Sequence, residues 1–232
     1  MEITSFSDIV GDEDVFWAQH FDRRPLHRRK AISNPDDFLS IQDLDEVLRH
    51  ERLRSAQLLM VRDGEVYPPH AYTERIRLAE WEFDSYVDPE GVYRLFNAGA
   101  SMVWAGIQNL HPKAHVLSRL LAQELNTRCD VMAFVTPGSW QGLGIHDDPS
   151  DTYVIQLSGI KRWRIWATPV SRNLGHYRLS SDMDEPQMDV SMEPGDILYV
   201  PYGTPHAMIA EEDTSLHITA TAPPILLDAS GD

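Results

Sequence analysis

Apolar and polar positions change their rhythm partway along the chain. After the polar start Ser40-Ile41-Gln42, residues Leu44, Val47 and Leu48 share one face at helical spacing. Near residues 88–98, Asp88 can cap a first turn, Pro89 suits the first helical position, and Val92, Leu95 and Phe96 form a stripe. A third helical run is predicted over about 112–126, where His115, Leu117, Leu120, Leu121 and Leu125 alternate with polar positions. The first hundred residues are therefore expected to be helix-rich. From residue 130 onward the pattern shortens to runs at 131–136, 152–157, 162–166, 188–192, 196–200 and 215–221, separated by Gly, Pro, Asp and Ser. Antiparallel barrels and sandwiches have this texture. Ser158-Gly159 and Pro194-Gly195 suit tight reversals, and the acidic stretch 182–185 reads as a solvated loop. The expected fold is mainly β with flanking helices, an α+β arrangement. A helix-rich N-terminal part (about 1–100) precedes a barrel core (about 100–225), and with no repeat or linker in sight one domain is expected.

Charge narrows the class of partner. Twenty Lys and Arg against 36 Asp and Glu give a net charge of −16, a poor balance for gripping a phosphate backbone. Direct nucleic-acid binding is not expected. A basic peptide, a basic protein segment or a small cationic, amino-acid-like molecule suits that field better. The single cysteine, Cys129, cannot form an internal disulfide, so a reducing, cytoplasmic setting is expected. The start Met1-Glu2-Ile3-Thr4-Ser5 has no basic stretch before an apolar run, and no apolar segment approaches the length of a membrane span. No membrane association is expected, and a homodimer is left open.

Two segments carry the chemistry. In His146-Asp147-Asp148, residues two apart in extended chain project to the same side, so His146 and Asp148 can share a metal while Asp147 points away. Alone, such a pair is equally at home on a surface. The second segment is a strand-like run from Gly195 to Val200, followed by Pro201-Tyr202-Gly203-Thr204-Pro205-His206. Its turn would aim His206 back at the barrel interior. Two imidazoles and one carboxylate on one side of an octahedral ion leave positions open for a chelating cosubstrate and dioxygen, whereas structural zinc sites close their coordination.

The spacing Gly195, Pro201, Gly203, His206 resembles the second signature of the cupin superfamily, whose fold is a double-stranded β-helix. Thr152 stands where metal-storing cupins and cupin isomerases carry a further Glu ligand. A closer resemblance is to the JmjC-type hydroxylases of the cupin-4, ribosomal-oxygenase-like group. It is carried by Phe16-Trp17, Arg24-Pro25-Leu26, the stretch from Gly99 to Val103, that from Thr136 to Gly142, that from Asp151 to Trp166, and that from Ser215 to Thr219.

The resemblance implies Fe(II) held by His146, Asp148 and His206, with 2-oxoglutarate as cosubstrate and O2 as oxidant. Succinate and CO2 would be the products, with hydroxylation of an amino-acid side chain, Arg or His, in a basic protein or peptide. It implies a salt bridge from Lys161 to the distal carboxylate of 2-oxoglutarate, and a hydroxyl near it at Thr221. Met132 stands where relatives place an Asn that helps bind the cosubstrate, so Asn109 or Tyr153 is expected to serve instead. Larger relatives continue into a helical dimerisation region and a winged-helix-like domain. Substrate selection here is expected to rest on the barrel mouth and the N-terminal helices. Other readings are an oxygenase acting on a free amino acid or natural-product intermediate, a cupin of other chemistry with no use for Lys161, and a metal- or peptide-binding module. His217, Trp163 and Trp166 are expected to pack in the core, and His176 to lie solvated in a loop.

Overall fold

The computed structural model describes residues 3–141, 144–169 and 185–224. The chain opens with helices α1 (Phe6–Val10) and α2 (Glu13–Val15), the latter running on into a π-turn over Phe16–His20. Next come β1 (Leu26–Arg28), α3 (Ile41–His50), β2 (Leu58–Arg62), β3 (Glu65–Val66), β4 (Thr73–Leu78), β5 (Trp81–Val87), α4 (Pro89–Asn97) and β6 (Ser101–Trp104). The remainder holds α5 (Pro112–Glu124), β7 (Asp130–Thr136), β8 (Asp151–Ser158), β9 (Lys161–Ile165), β10 (Met188–Met192), β11 (Ile197–Val200), β12 (His206–Ala210) and β13 (Ser215–Ala222).

The three predicted helices sit where their start signals place them. Ser40 and Asp43 form a reciprocal capping box on α3, and the Asp88 carboxylate accepts the N–H groups of Glu90 and Gly91 at the start of α4. The six predicted strands are present as well. One expectation is corrected: the first hundred residues are not simply helix-rich, because they also carry β1 to β5. The run 58–62 is short and apolar, a pattern whose periodicity does not separate strand from helix. Pairing decides it, since β2 lies between β6 and β3. Residues 73–87 fold as the β4–β5 hairpin.

Eight strands form one sheet in the order β1-β11-β8-β13-β7-β6-β2-β3, and β10-β9-β12 form a second. Central β8 is covered on both faces, hence its nearly unbroken apolar run. Tyr153, Ile155 and Leu157 join the main core with residues of α1, α5 and the π-turn, while Val154 packs with Trp163, Ile165, Met192, Leu198 and Val200 between the sheets. Each fully buried side chain of this size contributes roughly 1.5–3 kcal/mol. That exceeds the ~1 kcal/mol span of strand propensities, so packing places the strands. Gly195 lets the turn before β11 pack against the segment after β1: its φ is +93°, and a Cβ there would stand 2.3 Å from the Ile32 carbonyl oxygen. Among the described residues, no helix is long and apolar enough to cross a membrane.

Candidate metal centre and its cavity

His206 opens β12, His146 lies in the loop before β8, and their backbones are bridged. His146 N–H donates to the His206 carbonyl (3.0 Å) and His206 N–H to the His146 carbonyl (2.8 Å). The rings stand side by side with centroids 4.4 Å apart. Asp148 follows, and its carbonyl accepts from Gly203 N–H (2.9 Å), which ties the turn before His206 to the loop holding the other two groups. The Asp148 carboxylate lies 3.9 Å from His146 Nε2 and 3.7 Å from His206 Nε2. These gaps are too long for hydrogen bonds, yet candidate ligand atoms of all three residues lie within 4.8 Å of one another.

The donors are oriented for a cation. His146 Nδ1 lies 2.7 Å from the Gly144 carbonyl and His206 Nδ1 2.9 Å from that of Thr204. A carbonyl only accepts, so each Nδ1 carries the proton and each Nε2 offers a lone pair to the centre. Burial, with His146 beside it, pushes the His206 pKa down to about 4, against the opposing pull of Asp148. His206 is thus a neutral ligand at physiological pH. Thr152 Oγ1 donates to the Asp148 carboxylate (3.3 Å), holding it without occupying the centre. Two imidazoles and a carboxylate fit a divalent metal with open positions.

The triad stands at one end of a cavity of about 320 Å³ between the sheets. On its wall Lys161 opens β9 and is buried, donating from Nζ to Thr136 Oγ1 (2.9 Å), which also accepts from Ser101 Oγ (3.2 Å). Nζ lies 3.5 Å from His217 Nδ1, and the His217 ring stacks on Phe134 at 4.8 Å and 2°. Burial pushes the Lys161 pKa down to about 7. Burial first, and Lys161 second, hold that of His217 well below the ordinary imidazole value. Among the described residues no carboxylate pairs with Lys161. A buried ammonium without a counter-ion is costly, and an anionic group entering the cavity would relieve it. A larger space of about 620 Å³, lined by Ile3, Phe38, Lys113 and Leu117 among others, lies on the helical side and includes none of these groups.

Three residues expected to bind the cosubstrate lie elsewhere. Thr221 shares a strand face with His217 and Thr219 but stands one step past the cavity, donating to the Asp130 carbonyl (3.3 Å). Tyr153 faces the opposite side of β8, its ring against Phe16 and Tyr199, and burial raises its phenol pKa well above the ordinary value. Asn109 is exposed in a 3-10 turn after β6. Met132 does line the cavity, opposite Thr219. His217 and Trp163 are packed, as expected, and also form the cavity wall; Trp163 stacks on His206 at 5.7 Å. Trp166 is buried. Asp147 is outside the triad. His176 and residues 182–184 lie outside the described residues. Sequence reading missed Ser101, Thr136 and Phe134. The alternation of Met132, Phe134 and Thr136 on β7 was the available signal, but only pairing with β13 shows which face it serves.

A long sheet closed by a shorter one, with two histidines and an aspartate converging at one end of the space between, defines a cupin-type double-stranded β-helix bearing a facial triad of metal donors. The sequence profile of the JmjC domain matches residues 104–225, just over half of the chain, and the chain belongs to the JmjC domain family. It is 33% identical over 227 residues to the bifunctional lysine-specific demethylase and histidyl-hydroxylase NO66 of Drosophila persimilis, covering 90% of this chain and 30% of that protein. Ribosomal oxygenase 1 of Rattus norvegicus is 26% identical over 223 residues, with 89% and 34% covered. Among solved structures, the ribosomal oxygenase YcfD of Escherichia coli in complex with cobalt and 2-oxoglutarate superposes with a TM-score of 0.65 at 22% identity, covering 93% of this chain and 52% of that one. This chain therefore spans about a third of the length of those two relatives and about half of that structure.

Proposed function

We propose that the chain is an Fe(II)- and 2-oxoglutarate-dependent oxygenase that hydroxylates an amino-acid side chain, Arg or His, in a basic protein or peptide. One observation carries the reading: a buried Lys161, with no carboxylate beside it among the described residues, shares a cavity with an open His146/Asp148/His206 triad. A dicarboxylate is the ligand that meets both requirements, one carboxylate at the metal and the other at Lys161. Family membership and the fold shared with YcfD support it. When bound, iron(II) with 2-oxoglutarate and dioxygen supplies the oxidising power to break a C–H bond, yielding succinate and CO2.

The chain's own residues divide the remaining work. His146, Asp148 and His206 hold the metal, and Thr152 orients Asp148. Lys161 binds the distal carboxylate, with Thr136 and His217 beside it. Val61, Val103, Phe134 and Met208 keep the walls apolar and water out. A cupin of other chemistry gives no reason to bury Lys161. The acidic balance of −16 suits a basic target, and a reducing cytoplasmic setting suits both Fe(II) and the single buried cysteine.

Anaerobic addition of Fe(II) and 2-oxoglutarate tests the reading. The visible metal-to-ligand charge-transfer band is expected in the wild type, absent in His206→Ala, and shifted to higher cosubstrate concentration in Lys161→Ala. A wild-type protein giving neither the band nor succinate in air refutes it.

A further inference from the structure

We infer that the outer edge of β3 is a docking strand for an extended basic polypeptide, and that the residue paired with Val66 delivers its side chain to the metal centre. This rests on the oxygenase reading and adds to it the surface that grips the polypeptide substrate. Among the described residues, β3 ends the eight-stranded sheet and pairs only with β2. The turn between them, Asp63-Gly64, has φ of +51° and +81°, as a two-residue hairpin turn with right-handed strand twist requires. Arg62 and Glu65 flank that turn as a hydrogen-bonded pair, so the next pair, Val61 and Val66, is a non-hydrogen-bonded one. Tyr67 N–H then donates to the Met60 carbonyl (2.8 Å), resuming the ladder. The backbone N–H and C=O of Val66 consequently face the open edge.

The Val66 side chain, 56% exposed, is shared by two spaces. It lines the metal cavity with Leu59 and Val61, and also an outer groove of about 500 Å³ formed with Arg62, Asp63, Glu65, Tyr67 and Pro68. Cross-strand partners project to the same face of a sheet, so a residue paired with Val66 sends its side chain toward the cavity. Its neighbours project to the other face, as Glu65 does.

Charge selects a basic strand. The Arg62 guanidinium is engaged, lying over the Trp140 ring at 4.4 Å and donating to the Ala98 carbonyl (2.9 Å) and to Asp63 (3.3 Å). Glu65 is exposed and, among the described residues, in no ion pair. The hairpin also abuts the loop bearing His146. Asp63 N–H donates to the Gln141 carbonyl (3.3 Å), and Gly64 backs onto Gly144, whose carbonyl holds His146 Nδ1. Pro68 and Pro69 end the edge, so only one residue of the partner is gripped by its backbone.

The test offers Lys/Arg-rich peptides of about 15 residues, each with a central His or Arg, alongside free histidine and free arginine. The readouts are succinate and the addition of one oxygen by mass. Peptides are expected to be turned over and free amino acids not. N-methylation of the central backbone amide should raise KM about tenfold, and Val66→Pro, which removes the edge N–H while keeping an apolar side chain, should do the same. Glu65→Lys should raise KM about threefold or more for Lys/Arg-flanked peptides and lower it for Glu-flanked ones. In both variants the anaerobic Fe(II)–2-oxoglutarate band should persist, showing a folded, loaded centre. Turnover of free amino acids as efficient as that of peptides overturns the inference. So does indifference to amide methylation and to both variants, or a normal band with no peptide turned over. Absence of the band in the wild type instead removes the oxygenase reading itself.

Discussion

The two ends of the cavity are built of different material. At the metal end, His146 and Asp148 sit on a loop with their side chains 17% and 27% exposed, and the imidazoles are steered by backbone carbonyls two residues away. At the other end, Lys161, Thr136 and His217 project from three strands, β9, β7 and β13, and are buried. The metal end carries a carboxylate that a cation would neutralise. The lysine end carries a cation that nothing among the described residues neutralises. On the proposed reading, a dicarboxylate would restore at one end what folding leaves unbalanced, and the buried ammonium would cost stability in exchange for that affinity.

Removing a metal donor is the harshest way to separate the two ends. His206→Ala should weaken Fe(II) binding by more than about a hundredfold, beyond the loss seen on altering groups that merely support a ligand. Anaerobic titration of the charge-transfer band measures it. Retention of the band would mean that the triad is not the metal site.

Lys161→Met should act in the opposite sense on stability and on binding. Cosubstrate Kd is expected to rise about a hundredfold while Fe(II) affinity stays within about threefold, because the change leaves the triad untouched. Thermal unfolding of the cosubstrate-free protein should move up by a few degrees, since an apolar chain of similar length replaces a buried charge that has no carboxylate partner among the described residues. A lower Tm would show that the bond to Thr136 outweighs the desolvation of the ammonium.

Titration sharpens the same contrast. The folded-state pKa of Lys161, about 7, lies below the ordinary 10.5. Below pH 7 folded and unfolded chains both hold the proton, and the folded protein bears the full cost of the buried cation. Between about 7 and 10.5 the unfolded chain binds the proton and the folded chain does not, so this residue's contribution to stability grows with pH. Cosubstrate affinity should run the other way, weakening as pH rises above 7 by at most about tenfold per unit, because the carboxylate requires the ammonium form. Isothermal titration from pH 6.5 to 9 (roughly the window set by that shift) and chemical unfolding over the same range check both trends. Neither trend should survive in Lys161→Met.

Where chemistry depended on local spacing, it was legible in the sequence. The His146 and Asp148 pair and the turn from Pro201 to His206 needed only the period of a strand and the rigidity of a Pro/Gly turn. The capped helices α3 and α4 were equally local, with Ser40 and Asp88 marking their starts. What stayed hidden depended on partners distant in sequence. Strand β2 is a strand because β6 and β3 pair with it, and Thr136 reaches Lys161 because β7 of the long sheet and β9 of the short one both line the cavity between them. Tyr153 lies away from the cavity for a related reason: β8 is covered on both faces, and burial alone does not say which face looks into the cavity.

Thr221 and Thr136 give the smallest and most discriminating test of that limit. Both are threonines on adjacent strands, Thr136 lining the cavity and Thr221 one step past it, and Thr221 was the one the resemblance pointed to. Thr136 Oγ1 accepts from Lys161 Nζ and Ser101 Oγ, so both lone pairs are used and its own proton is left to donate to an arriving carboxylate. Thr136→Val should therefore raise the 2-oxoglutarate Kd about threefold to tenfold, the worth of one hydrogen bond to a charged group. Thr221 spends its proton on the Asp130 carbonyl at the strand end, and Thr221→Val should change the same Kd by less than about twofold. Both values come from one anaerobic titration of the charge-transfer band. Equal effects, or a larger one at Thr221, would place the distal carboxylate further along β13 than Lys161 can reach, and the division between a metal end and a lysine end would no longer hold.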